Sequence, residues 1–408
     1  MSYFKDWIKL KTTNIDVVFF LLVGIASTFV FNKLNAILVF LLFGFQFFYI
    51  LKKREIKLET TLYFWGLILF FALSFFGLIY TDNLSRGFDI IGRQISFLLF
   101  PLFYTTYKTR NISLLLKIYC VAIFGLIILF EVDTVYRFFY RSDTFPLTLD
   151  LFLSYRFTGV NLTKLLPIHN SYLAMYVMFS NVIIFHLITK TKNLFTVLGL
   201  FLLIWLQSIF IFQMVAKTAI ILNTLILVIS IIYVLIKHKK YKVLLISVFS
   251  TIIMLWFSYS YLNYPIKRIS DRFTELCEGE MAKRETRIKL WNSALPIIKN
   301  NYFFGVGTGD VEGVLHDAYK RNGISSTSNV HNQYLDYTLR FGLVGLIFFL
   351  SILGGALVYA VNVGNYIYFC FTIIIMGCCF TENIFNRQWG IIFYAYFNYL
   401  LFVFVKEN

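Results

Sequence analysis

The sequence predicts an all-α polytopic membrane protein of about twelve transmembrane helices, with one large helical loop on the outer side between the ninth and the tenth. Three observations carry that fold class. Of the 408 residues, 59% are hydrophobic and 20% aromatic, against roughly 45–50% apolar in a soluble globular domain. Apolar runs approaching the roughly 20 residues that a bilayer span needs recur along the whole chain. The short connections between them alternate between strongly basic and nearly neutral.

The runs lie at 15–31, 35–51, 62–80, 88–107, 112–130, 168–189, 193–214, 218–236, 243–261, 335–360, 365–380 and 388–405. The basic connections hold Lys5, Lys9 and Lys11, then Lys52, Lys53, Arg54 and Lys57, then Lys108 and Arg110, Lys190 and Lys192, and Lys237, Lys239, Lys240 and Lys242. The alternate ones, around Lys33, 82–89, 214–217 and 381–387, carry few charges. By the positive-inside rule both termini are cytoplasmic, and an even helix count agrees. The net charge of +16 therefore belongs largely to membrane topology, and no nucleic-acid partner is expected. The first apolar run reads as a retained span rather than a cleaved signal. Residues 1–408 read as a single integral membrane domain surrounded by membrane lipid.

This topology puts two long hydrophilic connections, 131–167 and 262–333, on the outer side. Cys277 is the one cysteine of five in such a loop, so no loop disulfide is expected. Within 262–333, residues 281–295 form an amphipathic helix: Ile288, Leu290, Trp291, Ala294 and Leu295 against Lys283, Arg284, Arg287 and Lys289. Pro296 marks its end. The following Gly305-Val306-Gly307-Thr308-Gly309-Asp310 reads as a glycine-rich turn. A dinucleotide fingerprint would need a βαβ unit around it.

The loop closes on His331-Asn332-Gln333-Tyr334-Leu335-Asp336, which runs into the tenth apolar stretch. A shorter echo, His169-Asn170-Ser171-Tyr172-Leu173, opens the sixth; coincidence and a duplicated structural role both account for it. Ionisable groups at or within apolar spans are costly and default to functional hypotheses. They are Arg93, Lys217, Arg340, Glu382 and Arg387. Simple neutralisation is the alternative for Asp336 with Arg340 and for Asp89 with Arg93, each four residues apart, while Lys217 can snorkel to headgroups. Yet Arg93, Lys217, Arg284, Arg287 and Arg387 fall on one side and outnumber nearby acids, so a cationic pocket for an anion is expected. A lipid-linked diphosphate suits both the cations and the apolar surroundings. Histidine ordinarily titrates near neutrality, so His331 is the candidate general base for an incoming hydroxyl. His169, Asn332, Trp291, Tyr334 and Glu382 complete the substrate-binding candidates, although the two aromatic rings equally suit packing. Glu312, His316, Asp317 and His331 match no compact ligand motif, so neither metal nor cofactor is expected.

Taken in order, Arg287-x-x-x-Trp291, Gly305-Val306-Gly307-Thr308-Gly309, His331-Asn332-Gln333-Tyr334-Leu335 and Gly342-Leu343-Val344-Gly345 resemble the O-antigen ligase and polymerase superfamily of bacterial envelope glycan enzymes. Weaker support comes from Arg93 with Ser96-Phe97-Leu98-Leu99-Phe100-Pro101, and from Thr381-Glu382-Asn383 with Gly390. The resemblance implies a metal-independent, inverting, C-type glycosyltransferase in the bacterial inner membrane, with its active site at the periplasmic face. Its donor would be an undecaprenyl-diphosphate-linked glycan. Its acceptor would be lipid A-core in a ligase, or the end of another carrier-linked glycan in a polymerase. His331 matches the motif histidine that activates the acceptor, and Arg287 an outer-loop arginine near the diphosphate. The chain departs from the family at Ala216-Lys217, where a serine followed by an arginine is common; charge is kept there but the guanidinium fork is lost. The reading from a different class is a flippase or transporter, with the cations along a translocation path.

Overall fold

The computed structural model describes residues 17–53, 62–106, 111–140, 147–234 and 286–404, together with Leu245, Phe249, Ile252 and Trp256 as single positions. These are helical throughout, without a strand. In chain order the helices are α1 Val17–Ser27, α2 Asn32–Lys53, α3 Leu62–Phe76, α4 Leu84–Gln94, α5 Ser96–Thr106, α6 Ile112–Tyr140, α7 Asn170–Lys190, α8 Leu194–Gln213 and α9 Lys217–Tyr233. They continue with α10 Thr286–Asn300, α11 Val311–Arg321, α12 Gln333–Asn362, α13 Tyr366–Thr381 and α14 Gln388–Phe404. By length and composition α6, α7, α8 and α12 are long and apolar enough to cross a bilayer, and α1, α3, α9, α13 and much of α2 are shorter apolar helices. The chain has the character of a membrane protein.

Three boundaries differ from the sequence reading. The fourth run, 88–107, is broken: α4 ends at Gln94 and α5 begins at Ser96. The charged side of α4, with Arg86, Asp89 and Arg93, adjoins a side that buries Gly87, Ile90, Ile91 and Gln94, which suits an amphipathic helix at a membrane boundary. The fifth run continues as α6 through 131–140, because Asp133 and Arg137 pair at 2.8 Å along one helix face. Pro296 does not end α10, which runs on to Asn300. The carbonyl that proline leaves without an intrahelical donor belongs to Asn292, on the exposed side. The ninth run, 243–261, and Arg284 lie outside the described residues, the four single positions apart.

α7 is buried without a break from Tyr172 to Phe185 and packs against α6, α8, α9 and α13. Lipid tails are as apolar as side chains, so such a bundle rests on interdigitation rather than on exclusion of water. Aromatic rings supply it here. Phe179 stands edge-on to Phe397 at 4.8 Å and to Phe371 at 5.0 Å, and Tyr119 lies 4.9 Å from Phe397.

The glycine-rich string is a structural splice. Val306 and Gly307 donate to the carbonyls of Leu339 and Arg340 in α12, while Thr308 donates through its N–H to Gly77 and through its hydroxyl to Ser74 at the end of α3. Gly305 has φ +72° and Gly342, at a kink inside α12, φ +63°. A Cβ at either would collide with the backbone of the other strand of the splice, Arg340 for Gly305 and Phe303 for Gly342. Asp310 closes the joint by accepting the N–H groups of Asp82 and Asn83, both at 2.8 Å. Beneath it Arg340 holds Asp336 through Nε at 2.8 Å and Nη2 at 3.2 Å, both side chains being almost fully buried, and donates Nη1–H to the Thr308 carbonyl.

Candidate active site

One end of the bundle encloses a cavity of about 460 Å³ lined by the start of α7, the α8–α9 turn, α10, the approach to α12 and the last turn of α13. Among the described residues its lining holds His169, Lys217, Arg287 and His331, and no carboxylate. Lys217 is the first residue of α9, carried on the turn Met214-Val215-Ala216. That turn is fixed to α7 by Asn170, whose Nδ2–H donates to the Met214 carbonyl at 3.1 Å while its Oδ1 accepts from Thr163 at 2.8 Å. Arg287 comes from the first turn of α10, where Leu290 packs inward.

Two non-glycine residues of the described chain have positive φ, Val215 at +52° and His331 at +48°, and both line the cavity. A β-branched valine in that region is strained, and such strain concentrates at functional sites. His331 is held there by its own N–H, which donates to Asn329 Oδ1 at 3.0 Å.

The polar string and the turn after α13 are zipped together. His331 Nδ1 lies 3.1 Å from Glu382 Oε1, the Asn332 N–H donates to Asn383 Oδ1 at 2.7 Å, Phe385 N–H donates to Gln333 Oε1 at 2.7 Å, and Asn386 Nδ2 donates to Asp336 Oδ1 at 3.1 Å. Asn332 also caps α12 by accepting from Leu335 N–H.

Glu382 is the carboxylate behind this wall, its side chain only 5% exposed. Burial alone would raise its pKa, but the hydrogen bond from His331 and the fields of His331, His169 and Arg287 outweigh burial, and the group sits below the usual carboxylate value. An ionised Glu382 accepts from Nδ1–H, which leaves His331 Nε2 as the acceptor nitrogen. His169 stands on the other side, its Nδ1 4.0 Å from Glu382 Oε2. Burial lowers the His169 pKa; Glu382 opposes this, and Arg387, His331 and Arg287 reinforce it. As the cap of α7, His169 accepts from Ser171 N–H at 3.4 Å, which needs an unprotonated Nδ1. The two echoing strings thus open helices at the same end and put an imidazole on either side of one carboxylate.

The remaining candidates are outside the cavity lining. Arg387 is exposed near His169 and Glu382. Arg93 pairs with Asp89 at 2.8 Å and reaches the Asn386 carbonyl at 3.4 Å. Trp291 donates Nε1–H to Val330 O at 2.7 Å, and Tyr334 donates its hydroxyl to Met376 O at 2.9 Å. Asn332 is buried in the zipper. Of the residues weighed as metal ligands, Glu312 pairs with Arg86 and His316 bonds the Thr327 carbonyl. Sequence reasoning missed the wall formed by Gly159 and Val160 and the hydroxyls of Ser171, Ser328 and Thr381. Their one local signal is Gly159, whose φ is +62°.

Fold and cavity define a polytopic helical membrane protein with a cationic, imidazole-bearing pocket at one end of its bundle. A family model described as O-Antigen ligase matches residues 202–350, from within α8 to the apolar part of α12, and supports the O-antigen ligase superfamily. That stretch contains Lys217, Arg287 and His331. No curated protein matches the chain.

Proposed function

We propose that this chain is an O-antigen ligase-type glycosyltransferase that moves a glycan from undecaprenyl diphosphate to a sugar hydroxyl of lipid A-core. The observation that carries the reading is the convergence of Lys217, Arg287 and His331 on one cavity whose described lining holds no carboxylate. His331 Nε2 takes the proton of the acceptor hydroxyl while Glu382 accepts from Nδ1–H and stabilises the imidazolium that forms. The hydroxyl oxygen attacks the anomeric carbon, the bond from that carbon to the diphosphate oxygen breaks, and configuration inverts in one in-line displacement. Arg287 and Lys217 neutralise the departing diphosphate, which leaves on its lipid and takes up the proton from His331. No metal takes part in this scheme.

In this reading Glu382 positions the base. Arg387, Arg93 and Arg284 add positive potential around the donor, and Trp291, Asn332, Tyr334 and His169 shape the walls. The whole chain acts as a single membrane domain of the bacterial inner membrane, both termini cytoplasmic and the cavity periplasmic, as supported by the basic connections on the opposite side.

The test is the envelope glycan of a deletion strain complemented with the wild-type chain, His331→Ala or Arg287→Ala, separating core-linked from carrier-linked material. Polymer retained on the carrier with bare core is the expected result for both variants. Single repeat units on core would instead assign the same chemistry to a polymerase, and the absence of carrier-linked glycan at the outer face would assign a flippase. Unchanged glycan in both variants would overturn the site.

A further inference from the structure

The turn that follows α10 exposes three consecutive aromatic residues, Tyr302, Phe303 and Phe304, at 50%, 64% and 55%. Three large rings side by side on an exposed turn between helices form an apolar patch that marks an interaction site. Backbone bonds fix their height against the bundle: Leu343 N–H donates to Tyr302 O at 2.8 Å and Val344 N–H to Phe303 O at 3.4 Å. Leu343 and Val344 begin the apolar part of α12, whose exposed stripe continues through Val344, Ile347 and Leu350. On the other side, the Phe304 ring lies 6.3 Å from Phe76, and Tyr80 donates its hydroxyl to Phe304 O at 2.6 Å. Phe75, Phe76 and Ile79 are themselves exposed at the end of α3. The aromatic tip is therefore continuous with the lipid-facing surfaces of two apolar helices, at the level where those surfaces end. Lys299 and Asn300, one turn back, are exposed as well.

We propose that Tyr302–Phe304 is a membrane-inserted wedge that seats α10 in the leaflet at the cavity end of the bundle, its occupant being phospholipid. Aromatic rings concentrate at the bilayer interface because the ring is apolar and its edge or hydroxyl tolerates water. A lysine beside such rings is drawn to anionic headgroups. The consequence for the cavity is geometric: α10 carries Arg287, and the glycine splice that follows the wedge joins α10 to α12, so the wedge and the splice together hold the far end of α10 at a fixed depth.

The experiment uses the full chain in nanodiscs of phosphatidylethanolamine and phosphatidylglycerol. A nitroxide is placed at Phe303→Cys in a Cys277→Ser background, with Lys320→Cys, on exposed α11, as the reference in water. Collision with molecular oxygen, which concentrates in lipid, is compared with collision with a nickel chelate, which stays in water. The wedge predicts a several-fold loss of nickel-chelate collision at 303 relative to 320, with oxygen collision raised. Equal nickel-chelate collision at the two positions would place the tip in water and overturn the proposal. Dipolar broadening between labels at 303 would overturn it in favour of contact with a second copy of the chain. Neither readout depends on glycan transfer, so the wedge and the assignment of the cavity stand or fall separately.

Discussion

Glu382→Gln tests the division of labour at the cavity most sharply. The substitution hardly changes volume and leaves an amide oxygen able to accept from His331 Nδ1–H across the present 3.1 Å. It removes the negative charge from a side chain that is 5% exposed, so the loss is felt where solvent screens little. A hydrogen bond to a charged partner contributes about 1.5–3 kcal/mol, against about 0.5–1.5 for a neutral one. The bond grows stronger as His331 becomes an imidazolium, so the missing charge falls mainly on the transition state. A loss of about 1.4–2.8 kcal/mol is a 10- to 100-fold fall in rate, within the roughly 10²–10⁴ that a general base supplies in total. The assay is single-turnover glycan transfer by the purified chain in nanodiscs, from carrier-linked donor to acceptor, with His331→Ala as the floor. Glu382→Gln should fall between wild type and that floor, and the double variant should be no slower than His331→Ala alone, since residues acting as one unit are not additive. A rate within about threefold of wild type, a loss of about 0.65 kcal/mol, would refute the coupling. So would a double variant well below the floor, because Glu382 would then act on something other than the imidazole.

Arg340→Met leaves the Asp336 carboxylate buried with Asn386 as its remaining side-chain donor among the described residues, and removal of one partner from a buried pair costs about 3–5 kcal/mol; thermal unfolding in detergent should show a large loss of Tm, and an unchanged Tm would mean that the pair is dispensable. His169→Asn keeps a capping side chain on α7 and removes a histidine whose folded pKa is lowered. As pH falls through the unfolded histidine value, the unfolded chain binds a proton that the folded chain resists, so wild type loses stability on acidification. The Tm advantage of His169→Asn over wild type should therefore be absent at about pH 8 and grow toward about pH 5.5, whereas a gap that does not vary with pH would count against the lowered pKa. Val215→Gly relieves a φ of +52° worth about 1–2 kcal/mol and returns about 0.5–1 kcal/mol of chain entropy, for a small net rise in Tm. Because Lys217 is two residues further on, transfer should slow at the same time; a lower Tm with full activity would reverse the strain argument.

What the sequence made legible follows the range of each interaction. Apolar runs declare themselves residue by residue, and helical segments lie over eleven of them, with the ninth, 243–261, outside the described residues apart from its four single positions. Breaks were harder to read, because they depend on the surroundings: Pro296 passes through α10 where its orphaned carbonyl is at the surface, and the 88–107 run parts at Ile95 where a charged amphipathic helix meets an apolar one. The glycine string reads as a turn from composition alone, but its purpose lies in α12, since Gly305 admits the backbone of Leu339 and Arg340 and Gly342 admits that of Phe303 and Phe304. The candidate site was legible as residue types and not as geometry. His331 and Glu382 are 51 positions apart, and nothing local in either string announces that the polar residues opening α12 and those following α13 pair one against the next. That pairing changes the meaning of Glu382. In sequence it is one more polar contact for a substrate, whereas behind His331 it is screened from the cavity, below the usual carboxylate value, and bonded to the nitrogen that a base does not use. A carboxylate among the cavity-lining cations would offset their charge; set behind the histidine, Glu382 holds Nδ1 and stays out of the described lining. The same reasoning explains a neutral His169 on the far side of Glu382: a second protonated imidazole there would compete for the carboxylate, and both its burial and its cap to Ser171 disfavour that proton.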